Sequence, residues 1–527
     1  MNPGESPAPP RERVGYPRVL FGLGALVCLS AGLSALLGAG KGWDERDLAA
    51  LDAPRSSSAL PEEEPERVRP PATAGQFFPA DPGELRAAVD RMLASAPARG
   101  LRGVRAILVP HAGYVFSGEI AAAAFREVEP GFRRVFLLAA NHDGEADYYG
   151  ASILDVTHYG MPGAKIPLSS LVAELRKEGL VACEPRAHRM HMIEIELPFL
   201  QAKKGWPAEP DYSIVPMIVS RLDAGAIGEL VRILQRHADP ETLFVFSVDL
   251  SHFYPDAQAR RLDQYTIDAV MGRDRAALER AVTDGNHVLQ ALVDLARLEG
   301  WEATFLGARN SGAVSGAMDR VVGYAAVAFH EPFRLTEEER TELLLLARRS
   351  IEEGIREGEA RPPEPGWIDR HPIFRIPRGV FVTLEKGGEL RGCTGEITST
   401  RPLWEGVQRN AIEAALHDSR FPPVAAEELA EITLAISILT YPERIAVDSP
   451  DQVLDVLKPG RDGVILVHKG RRSIFLPQVW EELPDPAEFL AHLAVKQGAS
   501  PDAWRSPDAV LYRCQAYRFG EAEGGQR

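Results

Sequence analysis

The run Val104-Arg105-Ala106-Ile107-Leu108-Val109-Pro110-His111-Ala112-Gly113-Tyr114 sets the architecture. A largely apolar stretch ends at a proline, and an imidazole follows at once. That is the pattern of a buried strand delivering a histidine to the loop beyond its carboxyl end. The arrangement recurs twice. Val135 to Ala140 runs into Asn141-His142-Asp143-Gly144, and Leu243 to Val248 runs into Asp249-Leu250-Ser251-His252. In an open parallel sheet those loops share one edge, where ligands bind. A satisfied polar loop position explains any one of these histidines taken alone. Three strands each releasing His or Asp at the same edge predict a single site.

At 527 residues the chain has room for roughly two to four domains, each with its own core. The composition, 45% hydrophobic and 25% charged, is that of globular protein. A net charge of -16 without a basic stripe argues against nucleic acid as the main partner. Cys28, Cys183, Cys393 and Cys514 show no CxxC spacing. This excludes a disulfide framework, a Cys-rich zinc site and a cluster of iron and sulfur on this chain.

Residues 1–17 are Pro-rich and polar and read as a disordered tail. Val19 to Gly40 carries no charge over 22 residues. As a helix rising about 1.5 Å per residue it would cover roughly 33 Å, enough for a bilayer core of about 30 Å. The segment 18–40 is therefore expected to be a transmembrane anchor or signal segment, with cleavage after Gly40 and a buried core helix as the alternatives. Lys and Arg tie across it, so the extracytoplasmic placement of the soluble domains rests only on the usual signal-anchor outcome. Residues 41–71, with Ser56-Ser57-Ser58 and Glu62-Glu63-Glu64-Pro65, read as a disordered linker. From 72 to 331 strands and helices alternate, which predicts an α/β domain with a mostly parallel sheet. A second, smaller α+β domain is expected over 335–520. It opens on the capping box of Thr336 and Glu339, and a helix follows.

Several motifs carry resemblances. Gln76-Phe77-Phe78-Pro79, Pro110-His111-Ala112-Gly113-Tyr114, Asn141-His142, His191-Met192-Ile193-Glu194, Asp249-Leu250-Ser251-His252 and Asn310-Ser311-Gly312 follow one another in order. Over 72–331 the chain resembles the Memo family, protein B of the AmmeMemoRadiSam system. Leu390-Arg391-Gly392-Cys393-Thr394-Gly395, Asp418-Ser419-Arg420-Phe421-Pro422-Pro423 and Phe475-Leu476-Pro477-Gln478-Val479-Trp480 resemble the AMMECR family, protein A of the same system. The first resemblance implies a fold like that of class III extradiol dioxygenases with a metal pocket at the sheet edge. The system's name implies a radical SAM partner, which must be a separate chain because no CxxxCxxC triplet occurs here.

The resemblance further implies His111 and His142 as metal ligands. Relatives place a cysteine third, in an Ala-Cys-Gly turn before a helix. Sliding that pattern onto Thr283-Asp284-Gly285 puts Asp284 there, although Asp is also a good helix N-cap. Two imidazoles and a carboxylate resemble the facial triad of non-haem iron proteins, so iron(II) is the first expectation, with copper or zinc as alternatives. His191, Glu194, Asp249 and His252 are expected to orient ligands or carry protons. In the second domain Cys393 is a candidate nucleophile, with Arg391 to favour its thiolate and His417 as a base. The alternative is a buried small residue in a tight turn. Two function classes stay open: a dioxygenase-like metal-dependent oxidoreductase acting on an unknown small molecule or peptide, and a non-catalytic metal- or peptide-binding scaffold.

Overall fold

The computed structural model describes residues 65–142, 146–447 and 449–521. Its first domain is built on strands β1 (Val104–Val109), β2 (Arg134–Ala140), β3 (Ser213–Val219), β4 (Thr242–Ser247), β5 (Glu302–Asn310) and β6 (Val321–His330). β1, β4, β2 and β3 lie side by side and parallel in that order, and β6 adds antiparallel to β1, with β5 beyond it. Val135 through Ala139 and Phe244 through Ser247 are wholly buried. Helices cover both faces of such a sheet, which is why its strands read as continuous apolar runs rather than alternating ones. Helix α1 (Tyr114–Glu127) follows β1, and α2 (Asn286–Glu299) packs on the opposite side, leading into β5.

The folded chain begins earlier than the linker reading suggests. Val68–Arg69 pairs in parallel with the strand His158–Met161, and Arg69 is fully buried. Its guanidinium meets Glu194 in an ion pair and donates to the carbonyls of His188 and Met190.

The second domain opens with the Thr336–Glu339 capping box and the helix Glu337–Glu357. A four-stranded antiparallel sheet follows: β7 (Val380–Lys386), β8 (Glu389–Glu396), Ile432–Leu439 and Ala516–Gly520. The helix Leu403–Leu416 packs against β7 and β8. A second small sheet includes Gly463–His468, Arg471–Phe475 and Val510–Cys514. The two domains share one continuous core, in which Leu101 and Phe333 join Leu343 and Phe374. Arg378 reaches across, pairing with Glu302 at 2.9 Å and covering the Phe333 ring.

The expectation of a membrane anchor, and with it the single-pass membrane placement, is corrected here. Among the described residues no helix is long and apolar enough to cross a membrane. The longest described helix, Glu337–Glu357, starts with three glutamates and carries arginines along its length, so it cannot lie in hydrocarbon. The stretch 18–40 itself lies outside the described residues.

Candidate metal centre

Each of β1, β2 and β4 ends at the same edge of the sheet, and the loops there converge. His111 follows β1 and is buried; His142 follows β2 and is partly exposed. The turn Thr283-Asp284-Gly285 comes in from the start of α2. It packs so closely on the end of β4 that a Cβ on Gly285 would lie 2.5 Å from a Val248 methyl, and only glycine permits that approach.

Asp284 Oδ2 lies 3.1 Å from His111 Nε2 and 3.2 Å from His142 Nε2. All three atoms are buried and have no hydrogen-bond partner among the described residues. Buried polar atoms are rarely left so. Ligands at about 2.1 Å from one ion, at right angles to each other, would be about 3.0 Å apart. The two separations from Asp284 match ligands at about right angles, and all three atoms lie within 4.8 Å of one another, so the donor set fits a divalent ion. His252 Nε2 stands further off, 3.9 Å from Asp284 Oδ2. Asp249, His252 and Asp284 form a second grouping with ligand atoms in reach of one another.

The surroundings fix the ligands. The Asp249 amide donates to Asp284 Oδ1 (3.1 Å), and the Thr283 hydroxyl donates to the Asp249 carbonyl (2.7 Å). Asp249 Oδ1 accepts the His111 amide at 2.8 Å. Ser247 Oγ lies 3.2 Å from His111 Nδ1 and 2.9 Å from Glu196 Oε1. With Nδ1 keeping its proton toward Ser247, it is the Nε2 proton that a metal would displace, leaving that lone pair toward Asp284. His252 Nδ1 lies 2.9 Å from the Leu250 carbonyl and is oriented in the same way. His191 stacks on Phe77 at 3.8 Å and meets the His111 and His142 rings edge-on.

The electrostatics follow from burial and crowding. Burial pulls the His111 imidazole down, but the Asp249 and Asp284 carboxylates outweigh it and raise it to about 9. Burial opposes ionisation of Asp284, yet His111 and His142 hold it below the usual carboxylate range. Burial pushes Asp249 up against the pull of His111. His191 is pulled well down, by burial first and then by His111 and His142, and stays neutral. Burial raises Glu196 to about 8 against the Ser247 hydrogen bond and the charge of His111.

Of the residues singled out in the sequence, His111, His142, Asp284, Asp249, His252 and His191 are brought together. Glu194 is not. Its carboxylate is taken by Arg69 and by the amides of Ala72 (2.9 Å) and Thr73 (2.7 Å). Glu196, two residues on, faces the site instead and was missed. The short 3₁₀ turn Glu194–Glu196 separates the directions of the two carboxylates, which their spacing in the sequence does not reveal.

Cys393 sits on β8 in the other domain, half-buried. Its amide donates to Asp418 Oδ2 (2.9 Å), and its carbonyl accepts from Arg420 (3.2 Å). Arg391 is engaged by Glu428 at 3.0 Å and His417 pairs with Glu413 at 3.6 Å, so neither expected activator meets the thiol.

Fold and cluster together define a two-domain protein, with an α/β unit carrying a His–His–carboxylate pocket at its sheet edge and an α+β unit behind it. Residues 69–328 match the family model described as Memo-like protein, and residues 344–519 match that of AMMECR1. A protein of Methanothermobacter thermautotrophicus is 41% identical over 189 residues, 36% of this chain and 96% of that protein. One from Thermococcus gammatolerans is 43% identical over 197 residues, 36% of this chain and 93% of that protein. A crystal structure of an uncharacterized protein from Pyrococcus horikoshii has 37% identity over 36% of this chain and 94% of its own, with a TM-score of 0.34. The chain belongs to the AMMECR1 family and carries a Memo-like domain ahead of its AMMECR1 domain.

Proposed function

We propose that the Memo-like domain holds one divalent metal ion on His111, His142 and Asp284 and uses it in oxidation of a small substrate by dioxygen. The observation that carries the reading is the convergence of three buried, unpartnered ligand atoms at separations of 3.1 and 3.2 Å. Iron(II) is favoured because two imidazoles and a carboxylate lack the thiolate that selects copper(I) or zinc. When bound, such an ion supplies Lewis acidity and one-electron chemistry. His252, with Nδ1 tied to Leu250, presents Nε2 to hold or pass a proton beside Asp284. Neutral His191, stacked on Phe77, walls the pocket on the other side. A separate radical SAM protein as partner belongs to this reading through the family resemblance.

A metal-binding scaffold without turnover is the second reading. It is favoured by the second domain, where Arg391 and His417, the expected activators of Cys393, are held by Glu428 and Glu413. The deciding measurement is metal content of untagged protein, with and without His111, followed by oxygen uptake by the anaerobically loaded iron(II) form with a catechol-like compound. One metal per chain that is lost in His111→Ala supports the centre. Stoichiometry far below one overturns it, and full occupancy without uptake favours the scaffold.

A further inference from the structure

The junction of the two domains holds a cavity of about 580 Å³, lined by none of His111, His142 and Asp284. One wall is the end of α2 and the turn into β5; the other is formed by residues 440–443, 458–462 and 513–515. Five cations line it: Arg273, Arg297, Lys458, Arg461 and Arg513. Three carboxylates face them: Glu302, Glu443 and Asp462.

The carboxylates are already engaged. Glu443 pairs with Arg273 and, at 3.1 Å, with Arg513. Glu302 pairs with Arg378 at 2.9 Å. Asp462 is buried and accepts the Lys458 amide at 3.0 Å. Arg297, Lys458 and Arg461 make no ion pair among the described residues. The Arg461 guanidinium donates to the Gln515 side-chain oxygen at 2.8 Å, with that amide turned as its neighbours require. In a chain of net charge -16, three uncompensated cations around one cavity are a local reversal of sign.

Arg273 adds two further marks. Its φ of 49° lies in the left-handed region, which a non-glycine residue occupies at a cost that the surroundings must offset. Its Nε is buried without a hydrogen-bond partner. Burial pulls its guanidinium down to about 10 despite Glu302, with Arg297 and Arg513 pulling the same way.

We propose that this junction cavity binds a small phosphorylated anion, recognised by Arg297, Lys458 and Arg461 from both domains. A phosphoryl group brings close to two negative charges and several acceptor oxygens, matched by planar guanidinium forks. A single carboxylate would leave most of the excess charge unneutralised. The volume suits a metabolite-sized ligand and is too small for a folded partner. Because its walls come from both domains, the ligand joins them.

Titration calorimetry on the full chain at low salt, with EDTA present to remove metal-mediated binding, tests the assignment. Inorganic pyrophosphate is the probe and succinate the comparison. Saturable one-site binding of pyrophosphate is expected. Arg297→Glu and Arg461→Glu should each weaken it at least tenfold, and Lys458→Gln several-fold. Arg297, Lys458 and Arg461 are exposed, so these variants should keep the parent's thermal midpoint in the absence of probe. Arg86→Glu, at an exposed side chain that does not line the cavity, should bind as the parent does. His111→Ala should also bind as the parent does, which separates this site from the metal centre. Absence of saturable binding, or parental affinity in Arg297→Glu and Arg461→Glu, would overturn the proposal. Succinate binding as tightly as pyrophosphate would overturn the phosphoryl class.

Discussion

The Asp249 backbone amide donates to Asp284 Oδ1 at 3.1 Å and so decides which oxygen of that carboxylate is left over. Oδ2 is then turned toward His111 and His142. The two acidic residues come from different elements 35 positions apart. One serves chiefly through its main chain, the other through its side chain. Pre-organisation of this kind, in which the cost of orienting a ligand is met during folding, is what a high-affinity ion site needs.

Ser247 provides the first test. Its hydroxyl lies between His111 Nδ1 and Glu196, so Ser247→Ala removes the contact that sets the His111 tautomer. Metal affinity should fall about 10- to 100-fold, the usual effect of deleting an outer-shell partner. Ser247→Thr, which keeps the hydroxyl, should recover most of it. Equal affinity in Ser247→Ala and the parent, measured by competition with a chelator, would remove Ser247 from this role.

Glu194 is expected to matter for stability rather than chemistry. Its pair with Arg69 is wholly buried, and removing one partner of such a pair costs about 3–5 kcal/mol because the other is left charged and unpaired. Glu194→Gln should therefore lower the urea midpoint markedly. Unchanged unfolding with lost activity would instead return Glu194 to the site.

Two buried histidines set an acid limit. His188 accepts from the Tyr159 hydroxyl and contacts Ser152, and burial with Arg69 nearby lowers it to about 3. Burial and Arg378 lower His330 to about 4. Their unfolded values are near 6.5. Between about pH 4 and 6.5 these two groups leave the unfolded chain binding more protons, so their contribution to stability rises with pH across that window and levels off above it. Each group contributes a slope of about 1.4 kcal/mol per pH unit. Urea unfolding at pH 5 and 6 reads the net slope, to which buried His191 and Glu196 also contribute, and His330→Asn should lower it by up to about 1.4 kcal/mol per pH unit. A slope unchanged by that substitution would rule His330 out as a source.

The edge of the sheet was legible in the sequence because parallel strands buried on both faces must be apolar throughout. The polar residue that ends each run therefore stands out. His111, His142 and Asp249 were readable for that reason. Asp284 was reached only through the family pattern, since an Asp before a helix reads equally as a cap. The choice between Glu194 and Glu196 was not legible: both are buried, and only the phase of a three-residue 3₁₀ turn sends one to Arg69 and the other to Ser247. Arg69 was hidden for another reason. It lies among prolines in a stretch with too little apolar surface to predict folding, yet a two-residue strand pairing secures it. In the second domain the Cys393 motif was visible, but the partners of Arg391 and His417 depend on packing that local spacing does not encode.

The ligand set itself is tested through Asp284. Three ligands to one ion act together, so losing any one should remove most of the affinity. Asp284→Ala is expected to leave His111 and His142 facing each other without an anion and to drop metal occupancy to a small fraction of the parent's. Asp284→Asn keeps the shape and, through its remaining oxygen, a weaker ligand, and should fall between the two. Asp284→Cys replaces a hard oxygen with a soft thiolate at the same place. Binding should then persist, with selectivity moving from iron(II) or manganese(II) toward copper(I) or zinc. Competition titrations with a chromophoric chelator, run with iron(II) and with zinc on each variant, read both affinity and preference. A helix-capping role for Asp284 predicts a different result. Asp284→Ala would then lose about 1 kcal/mol of stability and keep its metal. Parental affinity in Asp284→Ala would sink the assignment, and the grouping of Asp249 with His252 would become the ligand set to test by the same titration.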